Sequence, residues 1–240
     1  MSDRRVVVWG ASGGIGRALV DALAASGNYA VVDAGSRTPI EPVSDVVHPF
    51  AFDLLDEGSI GAAAERIAAV GPVDLVIVAT GLLHDEGNQP EKSFAALTPD
   101  AMVALFRVNT VGPALIAKHM VQALPKYRRS VFAALSARVG SIGDNRLGGW
   151  HSYRASKAAL NMMIANLAVE LRRTRPLSIA IGLHPGTVDT RLSAPFQKNV
   201  ADGKLFSATA SAGHLLSVID TATDAASGSV LAWDGQRIAS

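Results

Sequence analysis

The stretch Gly10-Ala11-Ser12-Gly13-Gly14-Ile15-Gly16 joins a short apolar run, Val6-Val7-Val8-Trp9, to a segment whose apolar residues recur at helical spacing. Because glycine has no side chain, it lets the backbone turn sharply and approach a ligand closely. The free N–H groups at the start of a helix favour an anion in front of them. A strand, a glycine-rich turn and a helix in this order therefore predict a site for the diphosphate of a dinucleotide, although a merely flexible turn could carry the same glycines.

The rest of the chain alternates between extended and helical patterns. The predicted strands lie at residues 6–9, 30–32, 50–52, 73–79, 130–135, 178–183 and 229–233, and the predicted helices at 15–23, 56–70, 98–124, 150–173 and 210–219. Strands with little polar alternation, separated by helices, are typical of a parallel sheet covered on both faces. Since no repeat, low-complexity tract or linker divides the chain, we expect one doubly wound α/β domain over residues 1–240, with about seven strands.

Composition narrows the function classes. The chain has 240 residues, 49% of them hydrophobic, with 22 Lys and Arg against 21 Asp and Glu and no cysteine. This near-neutral charge argues against a nucleic-acid partner, and the missing cysteines exclude a disulfide scaffold and a thiolate nucleophile. No apolar run approaches the roughly 20 residues of a membrane helix or the core of a signal peptide. We therefore expect a cytoplasmic protein with no membrane partner.

Open parallel sheets bind their ligands beyond the carboxyl ends of the strands, where the strand order reverses. Three further motifs lie at such ends or on the helices beside them: Val108-Asn109-Thr110-Val111-Gly112 after the fourth strand, Tyr153-Arg154-Ala155-Ser156-Lys157 on the longest predicted helix, and His184-Pro185-Gly186-Thr187-Val188-Asp189-Thr190 after the sixth strand. Together with the glycine-rich turn, whose spacing is G-x-x-x-G-x-G, these motifs in this order resemble the short-chain dehydrogenase/reductase family over practically the whole chain.

The resemblance implies a Rossmann-type domain that transfers a hydride between a nicotinamide dinucleotide and a small-molecule carbonyl or alcohol, and it implies a homodimer or homotetramer. It also implies a set of cofactor-binding residues, which follow successive strands or lie on the helices beside them. They are Gly10, Ser12, Gly14, Ile15, Gly16, Ser36, Arg37, Asp53, Leu54, Thr80, Gly81, Asn109, Tyr153, Lys157, Pro185, Gly186, Val188 and Thr190.

The end of the second strand bears on the choice between NAD and NADP. An acid there binds a ribose hydroxyl in NAD enzymes, whereas arginine accommodates the extra phosphate of NADP. By the family pattern the acidic position falls on Ala34, and adjacent strand residues face opposite sides, so Asp33 should point away from the ribose. Ser36 and Arg37 follow and could hold a phosphate. NADP is therefore the predicted cofactor, and NAD is the alternative because Gly13 lacks the basic side chain that many NADP-using relatives carry there.

Tyr153 and Lys157 are four residues apart and share one face of a helix. Hydride transfer to a carbonyl builds negative charge on its oxygen, so a proton donor must lie beside that oxygen. The ordinary pKa of tyrosine is about 10, and a nearby ammonium lowers it. The resemblance implies that Tyr153 is this acid, that Lys157 tunes it and binds the nicotinamide ribose, and that Asn109 holds a water linking Lys157 to solvent. Taken alone, Tyr153 would be interpreted as a partly buried helix tyrosine, and it is the combination with the other motifs that favours the catalytic role.

The serine that polarises the carbonyl in related enzymes has no direct counterpart here. Aligned on Gly140, its position falls on Ala137, while Ser136 occupies the position before it. We predict Ser136 as the catalytic serine, brought to the oxygen by a small backbone adjustment, with Ser141 as the reserve. If neither hydroxyl reaches, one donor to the developing oxyanion is missing and turnover should fall by about 10²–10³.

Two other functions are compatible with the same fold. One is a dinucleotide-binding sensor or signalling protein with little turnover, and the other is a family member that catalyses epimerisation or dehydration. No metal is predicted, since the adjacent residues His84-Asp85-Glu86 would splay apart in a loop. Residues 192–206 stand where related enzymes carry a flexible substrate lid, and their short length favours an apolar carbonyl of modest size.

Overall fold

Nine strands and six α-helices occur in the part of the chain that the structure describes. The computed structural model describes residues 3–85, 87 and 89–240. In chain order the elements are β1 Arg5–Trp9, α1 Gly14–Ala25, β2 Val31–Ser36, β3 Val47–Ala51, α2 Glu57–Val70, β4 Leu75–Val78, α3 Pro99–Phe106, α4 Gly112–Met120, β5 Ser130–Leu135, α5 His151–Thr174, β6 Ser178–His184, β7 Thr187–Val188, β8 Leu205–Phe206, α6 Ala208–Thr221 and β9 Val230–Ala232.

Seven of the strands form one parallel sheet in the order β3-β2-β1-β4-β5-β6-β9. The predicted doubly wound α/β architecture is therefore confirmed. The strand order reverses between β1 and β4, where Trp9 pairs with Val78. Because both strands end there, the glycine-rich turn after β1 and the segment Ala79-Thr80-Gly81 after β4 leave the sheet side by side. This is the point at which such sheets bind ligands.

The core consists of two apolar layers, one on each face of the sheet. Successive residues of a strand face opposite sides, so Val6 and Val8 pack with α1 and α6, whereas Val7 and Trp9 pack with α2, α4 and α5. All four of these side chains are fully buried. This explains why the strands show no polar alternation: both faces are covered.

The predicted helix over residues 98–124 is interrupted. α3 passes through a π-helical turn, Arg107–Val111, before α4 begins at Gly112. In an α-helix the carbonyl of Asn109 would accept the N–H of residue 113, which is proline and has none. By length and composition the segment Pro99–Ala123 could also cross a membrane, but the core helix of a soluble protein meets the same criterion, and this segment packs against α2 and α5.

Two differences from the predicted elements concern short strands. β3 begins at Val47, three residues before the predicted start, because Val47 pairs with Val32 of β2. β7 and β8 pair with each other in a separate two-stranded sheet that the sequence did not predict. Each of these strands has two residues, which is too short to leave a readable alternation in the sequence.

Candidate active site

The glycine-rich turn forms a close backbone bend in front of α1. Gly10 has φ of 99°, in the region that favours glycine. A Cβ placed on Gly16 would lie only 2.1 Å from the Gly10 carbonyl oxygen, so residue 16 must also be glycine. The residue before α1, Gly13, supplies no side-chain cap, and the first turn of α1 contains no acid. The first N–H groups of α1 are therefore available to an anion.

The loop after β6 approaches this bend. A Cβ on Gly14 would lie 2.7 Å from the Thr190 methyl carbon, Cγ2, so the two segments are in close contact. Ser211 Oγ donates to the Pro185 carbonyl oxygen at 3.0 Å, and Gly186 has φ of 78° with Phe206 packed against its α-carbon. The structure thus brings the first and last of the predicted cofactor segments together.

Asp33 lies in the middle of β2, which continues to Ser36, and its side chain faces the side of the sheet opposite to Ala34, as predicted. The Asp33 carboxylate forms a buried ion pair with Arg5, 2.9 Å from Nη2, on the α2 side of the sheet. Burial raises the pKa of Asp33 and the Arg5 guanidinium opposes that rise. Ser36 Oγ donates to the Thr38 carbonyl oxygen at 2.7 Å, so this hydroxyl is engaged, whereas Arg37 is exposed.

The segment after β3 is ordered by its own side chains. Asp53 Oδ1 accepts the Leu55 N–H at 2.9 Å, and the Asp53 N–H donates to Ser59 Oγ at 2.9 Å. Leu54 packs against the start of α4, where a Cβ on Gly112 would lie 2.6 Å from a Leu54 methyl carbon. In this arrangement the Leu54 side chain belongs to the core, and the Asp53 carboxylate stabilises a turn.

Tyr153 and Lys157 are buried together on one face of α5. The Tyr153 side chain is 8% exposed and Lys157 is 3% exposed. Lys157 Nζ lies 5.9 Å from the centre of the Tyr153 ring and donates to the Leu135 carbonyl oxygen at 2.8 Å. Gly140 packs against the same turn of α5, since a Cβ there would lie 2.8 Å from Lys157 Cβ.

Burial moves both pKa values away from their ordinary ranges. It raises the pKa of the Tyr153 phenol and lowers the pKa of Lys157 to about 8. The prediction that Lys157 lowers the pKa of Tyr153 is therefore not met in the protein alone, because the cost of burying a tyrosinate dominates. Near neutral pH the site holds a neutral phenol next to a largely protonated amine.

Asn109 joins α5 to the loop after β4. It is fully buried in the π-helical turn. Its amide exchanges two hydrogen bonds with the backbone of Leu82, at 2.8 and 2.7 Å, and donates to Ser156 Oγ at 3.0 Å. A Cβ on Gly81 would lie 3.7 Å from both Asn109 Oδ1 and Lys157 Nζ, so the predicted residues Gly81, Asn109 and Lys157 meet at one point.

Thr80 completes this edge of the sheet. Its side chain packs against the α-carbon of Gly10, and its hydroxyl is buried with no hydrogen-bond partner among the described residues. A buried hydroxyl without a partner is costly, and this one lies between the glycine-rich turn and Gly81. An added polar ligand at this position would remove that cost.

The predicted serine is not brought to Tyr153. Ser136 Oγ donates to Asn161 Oδ1 at 2.6 Å, two helical turns beyond Tyr153 on α5. Its neighbour Ala137 lies in the apolar cluster around Tyr153 instead, since successive residues of an extended chain point to opposite sides. Ser141, the reserve, accepts the Asp144 N–H at 3.0 Å and closes a loop.

Aromatic side chains pack around Tyr153. Phe196, within the predicted lid segment, lies 4.9 Å from the Trp150 ring and 5.6 Å from the His84 ring. His84 Nε2 also lies 3.1 Å from the Leu192 carbonyl oxygen. The sequence predicted a segment over the site at residues 192–206 but not the contacts of Phe196 with Trp150 and His84, because these contacts join segments far apart in the chain.

A nicotinamide dinucleotide fits the residues present. Four features face the edge of the sheet where β1 and β4 end. They are the bend at Gly10, the uncapped start of α1, the buried Thr80 hydroxyl and the Tyr153–Lys157 pair. Residues 3–85, 87 and 89–240 contain no group of three or more His, Asp or Glu side chains that could bind a metal ion. Glu86, part of the His84-Asp85-Glu86 run, lies outside the described residues.

Known proteins are similar to this chain in sequence and in fold. The family model described as short chain dehydrogenase matches residues 4–201. The 1-hydroxy-2-glutathionyl-2-methyl-3-butene dehydrogenase of Rhodococcus sp. (strain AD45) is 31% identical over 183 residues, which cover 76% of this chain and 76% of that protein. The C-signal protein of Myxococcus xanthus is 31% identical over 125 residues, 52% of this chain and 71% of that protein. The NADPH-bound carbonyl reductase from chicken fatty liver superposes with a TM-score of 0.85 at 25% identity, covering 100% of both chains.

Proposed function

This chain belongs to the short-chain dehydrogenase family, a family of oxidoreductases, and on that premise we propose that it uses NADPH to reduce a small or medium-sized carbonyl compound to an alcohol. The observation that carries the proposal is the shared burial of Tyr153 and Lys157 on one face of α5, next to Asn109 and Gly81. The NADPH bound to the chicken fatty liver reductase supports the choice of cofactor.

The chain's own residues supply the binding groups for this cofactor. Gly10, Gly14 and Gly16 with the first turn of α1 would hold the diphosphate, and Arg37 would hold the extra ribose phosphate. The loop over residues 185–190 would hold the nicotinamide end, including the carboxamide at the Val188 backbone. When bound, NADPH supplies the hydride. NAD is the alternative cofactor, and the same groups except Arg37 would bind it.

Tyr153 acts as the general acid. Burial raises its pKa, so the phenol carries its proton at neutral pH and can give it to the carbonyl oxygen as negative charge develops there. The product of that transfer is a buried tyrosinate, which is costly unless a cation lies close. Lys157, whose Nζ lies 5.9 Å from the centre of the Tyr153 ring, is that cation.

Asn109 connects the amine to solvent through its backbone. Its side chain is fully engaged with Leu82 and Ser156, whereas its carbonyl would lack an α-helical donor because residue 113 is proline. The Lys157 ammonium would give a proton to the tyrosinate and so return Tyr153 to its neutral form. A water that donates a hydrogen bond to that carbonyl would then pass a proton from solvent to the amine. The relay thus uses the carbonyl of Asn109 rather than its amide.

The substrate side of the site is apolar. The cluster around Tyr153 contains Leu82, Leu83, Leu105, Ala137, Val139, Trp150 and Phe196. These side chains offer no charge partner for an acidic or basic group on the substrate, so an uncharged ketone, aldehyde or diketone of modest size is favoured. Phe196, from the predicted lid segment, forms part of this apolar wall through its contact with Trp150.

The test is NADPH oxidation, followed at 340 nm, across a panel of uncharged aldehydes, ketones and diketones. We expect at least one compound to be reduced in proportion to enzyme concentration, and we expect the Tyr153→Phe variant to bind NADPH but lose nearly all turnover. An enzyme that leaves NADPH unoxidised with every compound would contradict the proposal. So would a Tyr153→Phe variant with full activity.

One observation favours a second function, a dinucleotide-binding sensor or signalling protein. Residue 137 is alanine and has no hydroxyl, and the Ser136 hydroxyl donates to Asn161 instead. The serine donor to the oxyanion is therefore missing, and turnover should be low. Tight NADPH binding that is independent of any carbonyl, with turnover unchanged by Tyr153→Phe, would favour this function over the reductase.

A further inference from the structure

Trp150 has an unusual backbone conformation immediately before α5. Its φ of 49° and ψ of 43° are left-handed, and within the described part of the chain it is the one non-glycine residue with positive φ. Gly148 and Gly149 precede it and also have positive φ, of 61° and 64°. A bulky side chain in this region is strained, so surrounding contacts must hold it.

Glu91, in the loop after β4, provides those contacts. Its carbonyl oxygen accepts the Trp150 N–H at 2.5 Å. Its carboxylate accepts the Ser152 N–H at 3.3 Å with Oε2 and the Ser152 hydroxyl with Oε1. Glu91 is 5% exposed and Ser152 is fully buried, so these bonds are formed away from solvent.

The carboxylate therefore caps α5 from a distant part of the chain. Trp150 gives α5 no side-chain cap of its own, and a negative charge at a helix start is favoured by the helix dipole. Burial raises the pKa of Glu91, but its hydrogen bonds with Ser152 and its own N–H, and the nearby His151, together hold that pKa below the usual range. Glu91 is ionised at neutral pH.

We propose that Glu91 is a positioning residue for Tyr153, which directly follows the capped residue Ser152. The body of α5 is anchored by Leu160, Ile164 and Leu171 in the core, so loss of the cap would free the first turn and leave the rest of the helix in place. That turn carries both the Tyr153 phenol and the Trp150 ring that forms the wall beside it, with ring centres 6.2 Å apart. The proposal rests on the reductase function, in which the phenol must face the substrate oxygen.

The experiment compares Glu91→Ala, Glu91→Gln and wild type. We expect Glu91→Ala to lower kcat at least tenfold for the best carbonyl substrate, with KM for NADPH within twofold, because the proposed dinucleotide contacts of α1 are untouched. Glu91→Gln keeps an oxygen for the Ser152 N–H, so kcat should return to within about threefold of wild type. Asp56→Ala is the matched control, since Asp56 caps α2 with its carboxylate by accepting the Gly58 N–H. It should lower the melting temperature without changing kcat.

Hydrogen exchange gives a readout that does not require activity. In Glu91→Ala the amides of residues 150–156 should exchange faster, while those of residues 160–171 keep their wild-type protection. A Glu91→Ala variant that loses thermal stability but keeps wild-type kcat, or that keeps slow exchange over residues 150–156, would overturn the proposal. If wild type reduces no carbonyl, the reductase function fails, and the exchange result still decides whether Glu91 holds the first turn.

Discussion

Lys157 Nζ lies 5.9 Å from the centre of the Tyr153 ring and donates to the carbonyl oxygen of Leu135, at the end of β5. The amine is therefore held by the sheet and faces a phenol on its own helix. Burial raises the pKa of Tyr153 and lowers that of Lys157 to about 8. At neutral pH this leaves a neutral acid beside a cation, which is the charge state that protonation of a reduced carbonyl requires.

The first prediction concerns pH. Carbonyl reduction needs the Lys157 ammonium, so kcat/KM for reduction should be level below pH 7 and fall above about pH 8, the pKa of Lys157. The fall should approach tenfold per pH unit, and it can be measured from pH 6 to 9.5 at saturating NADPH. A profile that stays level to pH 9.5 would exclude this role for the amine.

Loss of the fold would not explain such a fall. Because the pKa of Lys157 is lower in the folded protein than its ordinary value of 10.5, the folded chain binds fewer protons than the unfolded chain between about pH 8 and 10.5. The contribution of Lys157 to stability therefore rises with pH in that window. Melting temperatures measured alongside the rates separate the two effects.

The second prediction concerns the missing hydroxyl. Ala137 lies in the cluster around Tyr153, so Ala137→Ser should place a hydrogen-bond donor beside the developing oxyanion and raise kcat about 10- to 100-fold. Steady-state rates with the best carbonyl substrate measure the gain. Unchanged turnover in a folded Ala137→Ser protein would show that position 137 does not face the reacting oxygen.

Ser136→Ala is the companion variant, because the sequence alone predicts Ser136 as the catalytic serine. If that hydroxyl polarises the carbonyl, kcat should fall by about 10²–10³. The structure predicts another outcome: Asn161 Oδ1 loses its donor, stability falls by about 1 kcal/mol, and kcat stays within about threefold. Urea unfolding and steady-state kinetics on the same sample distinguish these results.

Local patterns predicted the seven-stranded sheet, the helices other than the interruption at Arg107–Val111, and the orientation of Asp33, since apolar runs and strand alternation depend on neighbouring residues. The side-chain partners of the site could not be predicted in this way. Ser136 and Asn161 are 25 residues apart, and Glu91 and Ser152 are 61 apart. Either Ser136 or its neighbour Ala137 could face Tyr153. The backbone path after β5 decides between them, and this path cannot be predicted from the spacing of apolar residues.

The third prediction concerns cofactor choice. Asp33 is committed to its ion pair with Arg5, which leaves the exposed Arg37 as the charged group at the end of β2. Arg37→Ala should weaken NADPH binding about 10- to 100-fold, as expected for one charge-assisted contact to a phosphate, with little change for NADH. Equal losses for the two dinucleotides, measured by fluorescence titration, would contradict this assignment. Arg172→Ala, an exposed arginine near the far end of α5, is the control.

The last prediction tests whether the turn and the loop after β6 form one cofactor site. A Cβ on Gly14 would lie 2.7 Å from Thr190 Cγ2, whereas a Cβ on Gly13 would approach nothing closer than 3.4 Å. Gly14→Ala should therefore displace the Thr190 loop and weaken NADPH binding about tenfold, while Gly13→Ala should bind as wild type does. Thr190→Ser removes the methyl group but keeps the hydroxyl that bonds the Val188 carbonyl oxygen. The double variant Gly14→Ala with Thr190→Ser should then regain most of the lost affinity in a titration with NADPH. If the double variant binds no better than Gly14→Ala alone, the methyl contact is not what couples the two segments.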